Sequence, residues 1–195
     1  WRDGALALRA KLIMDRKAVV ARLHSIEWSD IEFKEPTWAA PKDSLETVSA
    51  FANTAGGHLV FGIKQANGTF TITGVTNADE VQNTFLGWVR DQNKISVFLP
   101  INGSVHSLAE GTVLAFYVPE ATRNDKPVFI DRTPHKAYIR RGGRDDTCTR
   151  DELLRFIRDV GLGLVDRMPR LKDFFIQQAS GIVPGAPKLL KGEAI

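Results

Sequence analysis

The sequence has too few cysteines for a disulfide fold and no apolar run long enough for a membrane span. It holds one cysteine, Cys148, so no disulfide can close within the chain and a cysteine-based zinc site lacks its ligands. That usage fits a reducing compartment, and a cytoplasmic location is expected. No apolar run approaches the roughly 18 residues a membrane-spanning helix needs. The opening stretch "WRDGALALRAKLIMDRK" breaks its apolar residues with charges and has no signal-peptide core. The four histidines, His24, His58, His106 and His135, show no metal-ligand spacing. There is no Walker A loop, no G-x-G-x-x-G fingerprint, no internal repeat and no low-complexity segment.

Neither sign of charge dominates. Lys and Arg number 26 against 23 Asp and Glu, a net charge of +3. This mild excess permits a nucleic-acid partner without requiring one. The 195 residues are 43% apolar, enough for one domain with a proper core plus a tail. The chain begins at Trp1, and it is expected to be part of a longer protein with further domains.

Periodicity gives an α+β reading: a mixed sheet with a β-hairpin, flanked by about four helices. Within residues 1–24 the spacing predicts an amphipathic helix, with Leu8, Leu12, Val19 and Leu23 on one side. Residues 31–34, "IEFK", alternate as a half-buried strand. "DSLETVSAFANTAGG" reads as a helix with a capping box at Asp43 and Glu46 and a glycine stop at Gly56 and Gly57. Its buried stripe is Leu45, Val48, Phe51 and Ala52. "HLVFGIK" is apolar enough for an interior strand, and Asn67-Gly68 suits a hairpin turn into "TFTITGV". A helix follows, with Val81, Phe85, Trp88 and Val89 inward. "ISVFLPIN" and "GTVLAFYVPE" read as strands joined through "NGSVHSLAEG", and "KAYIRRGGRDDTCT" as a strand ending in a basic glycine loop. Thr149 is the expected N-cap of a last core helix. Residues 161–195 are expected to form a helical extension and a Pro- and Gly-rich tail or linker.

Two stretches could carry chemistry. In a strand, residues i and i+2 share a face, so Glu32 and Lys34 point together while Ile31 and Phe33 point inward. A Glu-x-Lys strand can hold a divalent ion on its carboxylate while the lysine meets phosphate charge, and Glu27 lies just upstream. A solvated edge with a simple charge pair would look the same. In "AYIRRGGRDDTCTR", Arg140, Arg141, Arg144 and Arg150 cluster around two glycines, after His135 and Lys136. Arginine forks suit phosphate oxygens and glycines allow close approach, although Asp145 and Asp146 offset part of the charge. Asn53, near a helix end, suits hydrogen bonding to nearby backbone.

Together, "IEFKEP", "LETVSAFANTAGGHLVFGIKQANGTFTITGV" and "KPVFIDRTPHKAYIRRGGR" resemble the Schlafen AlbA_2 domain over about residues 20–160. We delimit that domain as residues 25–160. The resemblance implies a nucleic-acid-binding α+β module, DNA-binding in bacterial relatives, that often precedes an ATPase-like or winged-helix region of a larger transcriptional regulator. In animal Schlafens the domain is an RNA endonuclease with a Glu-x4-Glu-x-Lys motif and a later aspartate. Glu27, Glu32 and Lys34 match that motif, with Glu27 and Glu32 as the implied ligands of Mg²⁺ or Mn²⁺. Lys64 and Gln65 stand where the aspartate is expected, so binding of DNA or RNA, rather than cleavage, is the expected activity. The binding residues are then Lys34, Lys64, Lys136, Arg140, Arg141 and Arg144. The alternatives are a divalent-metal-dependent endoribonuclease and a scaffold that forms a homodimer.

Overall fold

The computed structural model describes residues 30–35, 39–66 and 69–160. The expected N-terminal helix, Glu27 and the extension after residue 160 lie outside them. Packing divides the chain into one unit ending at Cys148 and a second beginning at Thr149.

The first unit is built on a four-stranded mixed sheet. Strand β1 (Ile31–Lys34) lies at one edge and runs parallel to β2 (Gly57–Phe61). Strand β2 pairs antiparallel with β6 (Thr112–Val118), which pairs antiparallel with β5 (Asn102–Ser107) at the other edge. Strand β2 is buried along its whole length, as its mostly apolar run predicts for an interior strand.

On one face, α1 (Ser44–Asn53) and α2 (Ala78–Arg90) cover Leu59, Phe61, Leu114 and Phe116. Phe61, Phe85 and Phe116 meet with ring centroids 4.6 to 5.4 Å apart. Each is fully buried, which favours folding by about 1.5–3 kcal/mol per side chain. On the other face a smaller cluster of Ile31, Val60, Ile63, Val113 and Ala115 packs with Phe33, Phe70 and Ile72. It lies beneath the hairpin of β3 (Ile63–Ala66) and β4 (Thr69–Ile72). Ala66 pairs with Thr69, so the expected hairpin is present, and Asn67 and Gly68 lie outside the described residues.

Helix α1 departs from its expected single stripe. It is buried nearly all round, including Ser44, Thr47, Ser49 and Asn53, because a second layer lies on its far side. That layer holds residues 128–130 and the hairpin of β7 (Tyr138–Arg141) and β8 (Arg144–Thr147). Polar side chains on this side of α1 meet backbone groups that would otherwise be buried without partners. Asn53 Nδ2 donates to the carbonyls of Val128 and Tyr138 at 2.8 and 2.9 Å, and its Oδ1 accepts from Val128 N at 2.7 Å. Ser49 Oγ donates to Val128 O at 2.8 Å and accepts from Tyr138 N at 3.0 Å.

The end of α1 explains the glycine stop. Gly56 N donates to Phe51 O at 2.8 Å with φ +73°. A Cβ there would sit 2.8 Å from Val118 O, so only glycine fits both the angle and the space. The start differs from the expected capping box: the Asp43 side chain makes no cap hydrogen bond. Its carboxylate goes to Lys34 instead.

The strand expected in "ISVFLPIN" is also corrected. Of that stretch only Ile95, in a bridge with Ile130, and Asn102, the first residue of β5, are paired, and the rest of β5 lies in the stretch expected to be a connection. Pro100 has no N–H for a ladder, whereas 102–107 pairs residue by residue with β6. The described residues hold three α-helices, α1, α2 and α3 (Arg150–Val160). In the second unit, α3 begins with the expected cap: Thr149 N donates to Glu152 Oε2 at 2.8 Å and Glu152 N to Thr149 Oγ1 at 3.4 Å. Among the described residues, no helix is long and apolar enough to cross a membrane.

Candidate functional site

The parallel register puts Glu32 opposite Leu59 and Lys34 opposite Phe61, so both point to the α1 face of the sheet. Ile31 and Phe33 take the other face. Glu32 and Lys34 therefore share a face, and Lys34 Nζ lies 3.3 Å from Glu32 Oε1. This is not a solvated edge, because the Lys34 side chain is only 15% exposed and also pairs with Asp43 Oδ2 at 2.7 Å. Burial lowers the Lys34 pKa, but Asp43 and Glu32 more than offset this and hold it above the ordinary lysine value.

Arg140 joins the same group from the opposite side. Strands β7 and β8 are joined by Gly142 and Gly143, both at positive φ (51° and 84°), the signature of a tight two-residue turn. The expected glycine loop is thus a hairpin turn, and its register sets Arg140 opposite Asp145. Arg140 Nη1 donates to Asp145 Oδ1 at 2.7 Å. Its Nη2 donates to Glu32 Oε2 at 2.8 Å and to the Ile31 carbonyl at 2.9 Å. The guanidinium also lies over the Phe51 ring, 5.1 Å from its centroid. Asp145 Oδ2 accepts from Thr47 Oγ1 at 2.6 Å.

A continuous chain results: Asp43, Lys34, Glu32, Arg140, Asp145, Thr47. It ties β1, the start of α1 and the β7–β8 hairpin together. Three carboxylates face two cations, so the charges nearly cancel. The Arg140 side chain is 3% exposed. Burial disfavours its charge, yet Asp145 and Glu32 more than compensate and raise its pKa. Arg140, expected to meet phosphate, instead has its guanidinium committed to internal acceptors.

The other expected binding residues lie farther out. Arg141 and Arg144 face each other across the β7–β8 turn. They lie 3.7 and 3.6 Å from Asp146, and the Arg144 side chain is 83% exposed. Lys64, on β3, is half exposed and pairs with Glu35 at 2.9 Å. Lys136, in the short 3-10 turn Pro134–Lys136, pairs with Asp131 at 2.8 Å. Arg141 and Arg144 are thus together, Lys34 and Arg140 are together around Glu32, and Lys64 and Lys136 each occupy another element.

A divalent ion needs several oxygen ligands. Glu32 has Lys34 on one carboxylate oxygen and Arg140 on the other, and Glu27, the other expected ligand, lies outside the described residues. Among the described residues, no three His, Cys, Asp or Glu side chains are grouped to hold a metal.

A shallow cleft opens beside this network, lined by Ile31, Glu32, Phe33, Gln65, Phe70, Arg140 and Gly143. The sequence reading missed it because its walls come from two separate hairpins. The only local signal was Asn-Gly and Gly-Gly, each marking a tip.

A sequence profile described as Schlafen, AlbA_2 matches residues 27–149. The chain belongs to this family. Among solved structures, the N-terminal domain of an ATP-dependent DNA helicase RecG-related protein from Nitrosomonas europaea is similar at 28% identity. The match has a TM-score of 0.52 and covers 70% of this chain and 95% of that one. The DIP2311 protein from Corynebacterium diphtheriae is similar at 19% identity with a TM-score of 0.47, over 76% of this chain and 26% of that one. No curated protein sequence matches the chain significantly.

Proposed function

We propose that this AlbA_2 domain binds nucleic acid through the exposed cations of its two hairpins, as one module of a larger bacterial regulator or ATPase-like protein. The observation that carries this is the turn Arg141-Gly142-Gly143-Arg144. Two arginines flank a tight bend with no side chain at its tip, and the Arg144 side chain is 83% exposed, its 3.6 Å distance to Asp146 longer than that of a strong charge-assisted hydrogen bond. Phosphate oxygens can compete for Arg144. Lys64 adds a cation on the neighbouring hairpin, and Lys136 adds one on the 3-10 turn. Arg140 acts differently: it positions the hairpin and makes no phosphate contact. The likeness to the N-terminal domain of a DNA helicase RecG-related protein supports both the ligand class and the place within a larger chain.

The endoribonuclease reading has weaker support, because Glu32 serves as counter-ion to Lys34 and Arg140. The test is binding of labelled DNA and RNA between 50 and 200 mM salt. Affinity should fall steeply with salt, and the Arg141→Ala/Arg144→Ala double variant should lower the log–log slope by about 0.9 per lost phosphate contact on duplex. Binding indifferent to both salt and the double substitution would sink the proposal.

A further inference from the structure

We propose that the turn Asp131-Arg132 is a second phosphate-contacting element, in which Arg132 meets the sugar–phosphate backbone of a bound nucleic acid. This rests on the nucleic-acid reading above and adds a contact outside the β7–β8 hairpin.

The turn spans residues 130–133. Thr133 N donates to Ile130 O at 2.9 Å, and both central residues have positive φ, 51° at Asp131 and 59° at Arg132. That is the pattern of a type I′ turn, where Asn-Gly and Asp-Gly are favoured. Aspartate tolerates the left-handed region and glycine adopts it freely, whereas for arginine it is unfavourable. The same chain places glycine at both central positions of the β7–β8 turn, Gly142 and Gly143. An arginine kept where glycine would suit the backbone better implies a role for its side chain.

The surroundings favour an anion as the partner of that side chain. Arg132 is exposed and, among the described residues, belongs to no ion pair. The carboxylates beside it are engaged elsewhere. Asp131 Oδ2 accepts from Lys136 Nζ at 2.8 Å, and Asp91 Oδ1 accepts from Asn93 N at 2.9 Å. Asp131 N donates to Lys94 O at 3.1 Å, which sets residue 94 against the turn. Lys94 Nζ lies 5.5 Å from the Trp88 ring centroid and, among the described residues, has no carboxylate partner. The turn is also held firmly. Ile130 N donates to Lys136 O at 3.0 Å, and Thr133 Oγ1 to Asp131 O at 3.0 Å. A guanidinium without a counter-ion on a fixed tip suits phosphate oxygens, and ordering it costs little on binding. Such a contact positions the nucleic acid and does not read its sequence.

The test measures binding of a labelled DNA duplex and a labelled RNA hairpin by fluorescence anisotropy between about 50 and 200 mM salt, alongside thermal melts. Arg132→Gly should melt no earlier than the wild type, because glycine relieves the left-handed backbone. It should nevertheless bind about eightfold more weakly near 0.1 M salt and lower the log–log slope by about 0.9 on duplex, the counterion release of one phosphate contact. Arg132→Lys should keep most of the slope, since the charge stays. Wild-type affinity and slope in Arg132→Gly, beside weakened binding by the Arg141→Ala/Arg144→Ala variant, would overturn the Arg132 contact and leave the hairpin-cation reading standing. Earlier melting of Arg132→Gly together with its loss of affinity would make the residue structural and overturn the contact as well. Failure of the wild type to bind either probe at low salt would overturn both.

Discussion

Glu32 Oε2 accepts a hydrogen bond from Arg140 Nη2 at 2.8 Å, across 108 residues of sequence. This pair joins the edge of the sheet to the β7–β8 hairpin, and α1 lies between those layers. Removing Arg140 would leave Glu32, Asp145 and the Ile31 carbonyl around an empty place. Breaking a buried ion pair on one side costs about 3–5 kcal/mol, so Arg140→Ala should lower the unfolding free energy by about 3 kcal/mol in urea titration. Arg140→Lys should recover only part of it, because one ammonium cannot reproduce the fork that reaches three acceptors. A stable, fully folded Arg140→Ala with weakened nucleic-acid binding would instead make Arg140 a phosphate ligand.

Asn53 makes a parallel prediction on the other side of the same layer. Asn53→Ala should destabilise the domain by about 2 kcal/mol, since it strips the Val128 N–H of its acceptor and the Tyr138 carbonyl of a donor. Asn53→Asp keeps an acceptor for Val128 N–H but turns a second oxygen toward two carbonyls. It should be at least as unstable as the alanine variant at neutral pH and recover on acidification, when the protonated carboxyl can donate. Thermal melts of both variants at pH 4.5 and 7.5 check this, and an Asp variant indifferent to pH would contradict it.

Much of this framework was legible in the sequence. The apolar run of β2, the glycine stop of α1, and the shared face of Glu32 and Lys34 follow from local pattern alone. What was not legible depends on distant partners. Arg140 looked like a surface arginine because Arg141 and Arg144 beside it are exposed. Only the pairing with Asp145 and the arrival of Glu32 from β1 turn it inward. Strand β5 was missed because an edge strand with one large apolar residue, Val105, carries little signal. The polar side of α1 was unreadable as buried because Ser49 and Asn53 meet their partners in segments about 75 to 90 residues later.

Lys34 sets an alkaline limit on the network. Its folded pKa is raised, so its contribution is present in full below the ordinary lysine value of about 10.4 and is lost as pH rises through the raised folded value. The difference in melting temperature between the wild type and Lys34→Met should therefore be constant from pH 7 to about 10 and shrink above that. A difference that grows at high pH, or that disappears near neutrality, would contradict the pairing with Asp43 and Glu32.

Glu32 separates a counter-ion from a metal ligand most directly. A counter-ion makes Glu32→Gln lose the charge on the Arg140 and Lys34 bonds, at a cost of about 2 kcal/mol, with no metal present. A ligand would make Mn²⁺ stabilise the wild type, by about 2.7 kcal/mol at a hundredfold excess over Kd, and would make Glu32→Gln erase that gain. The network predicts the first pattern: Glu32→Gln melts earlier than the wild type, and neither protein shifts on addition of Mn²⁺ or Mg²⁺. Calorimetric melts of the two proteins with and without 1,000-fold differences in metal concentration would distinguish them. A rise in the wild-type melting temperature that is absent from Glu32→Gln would restore the carboxylate to metal binding.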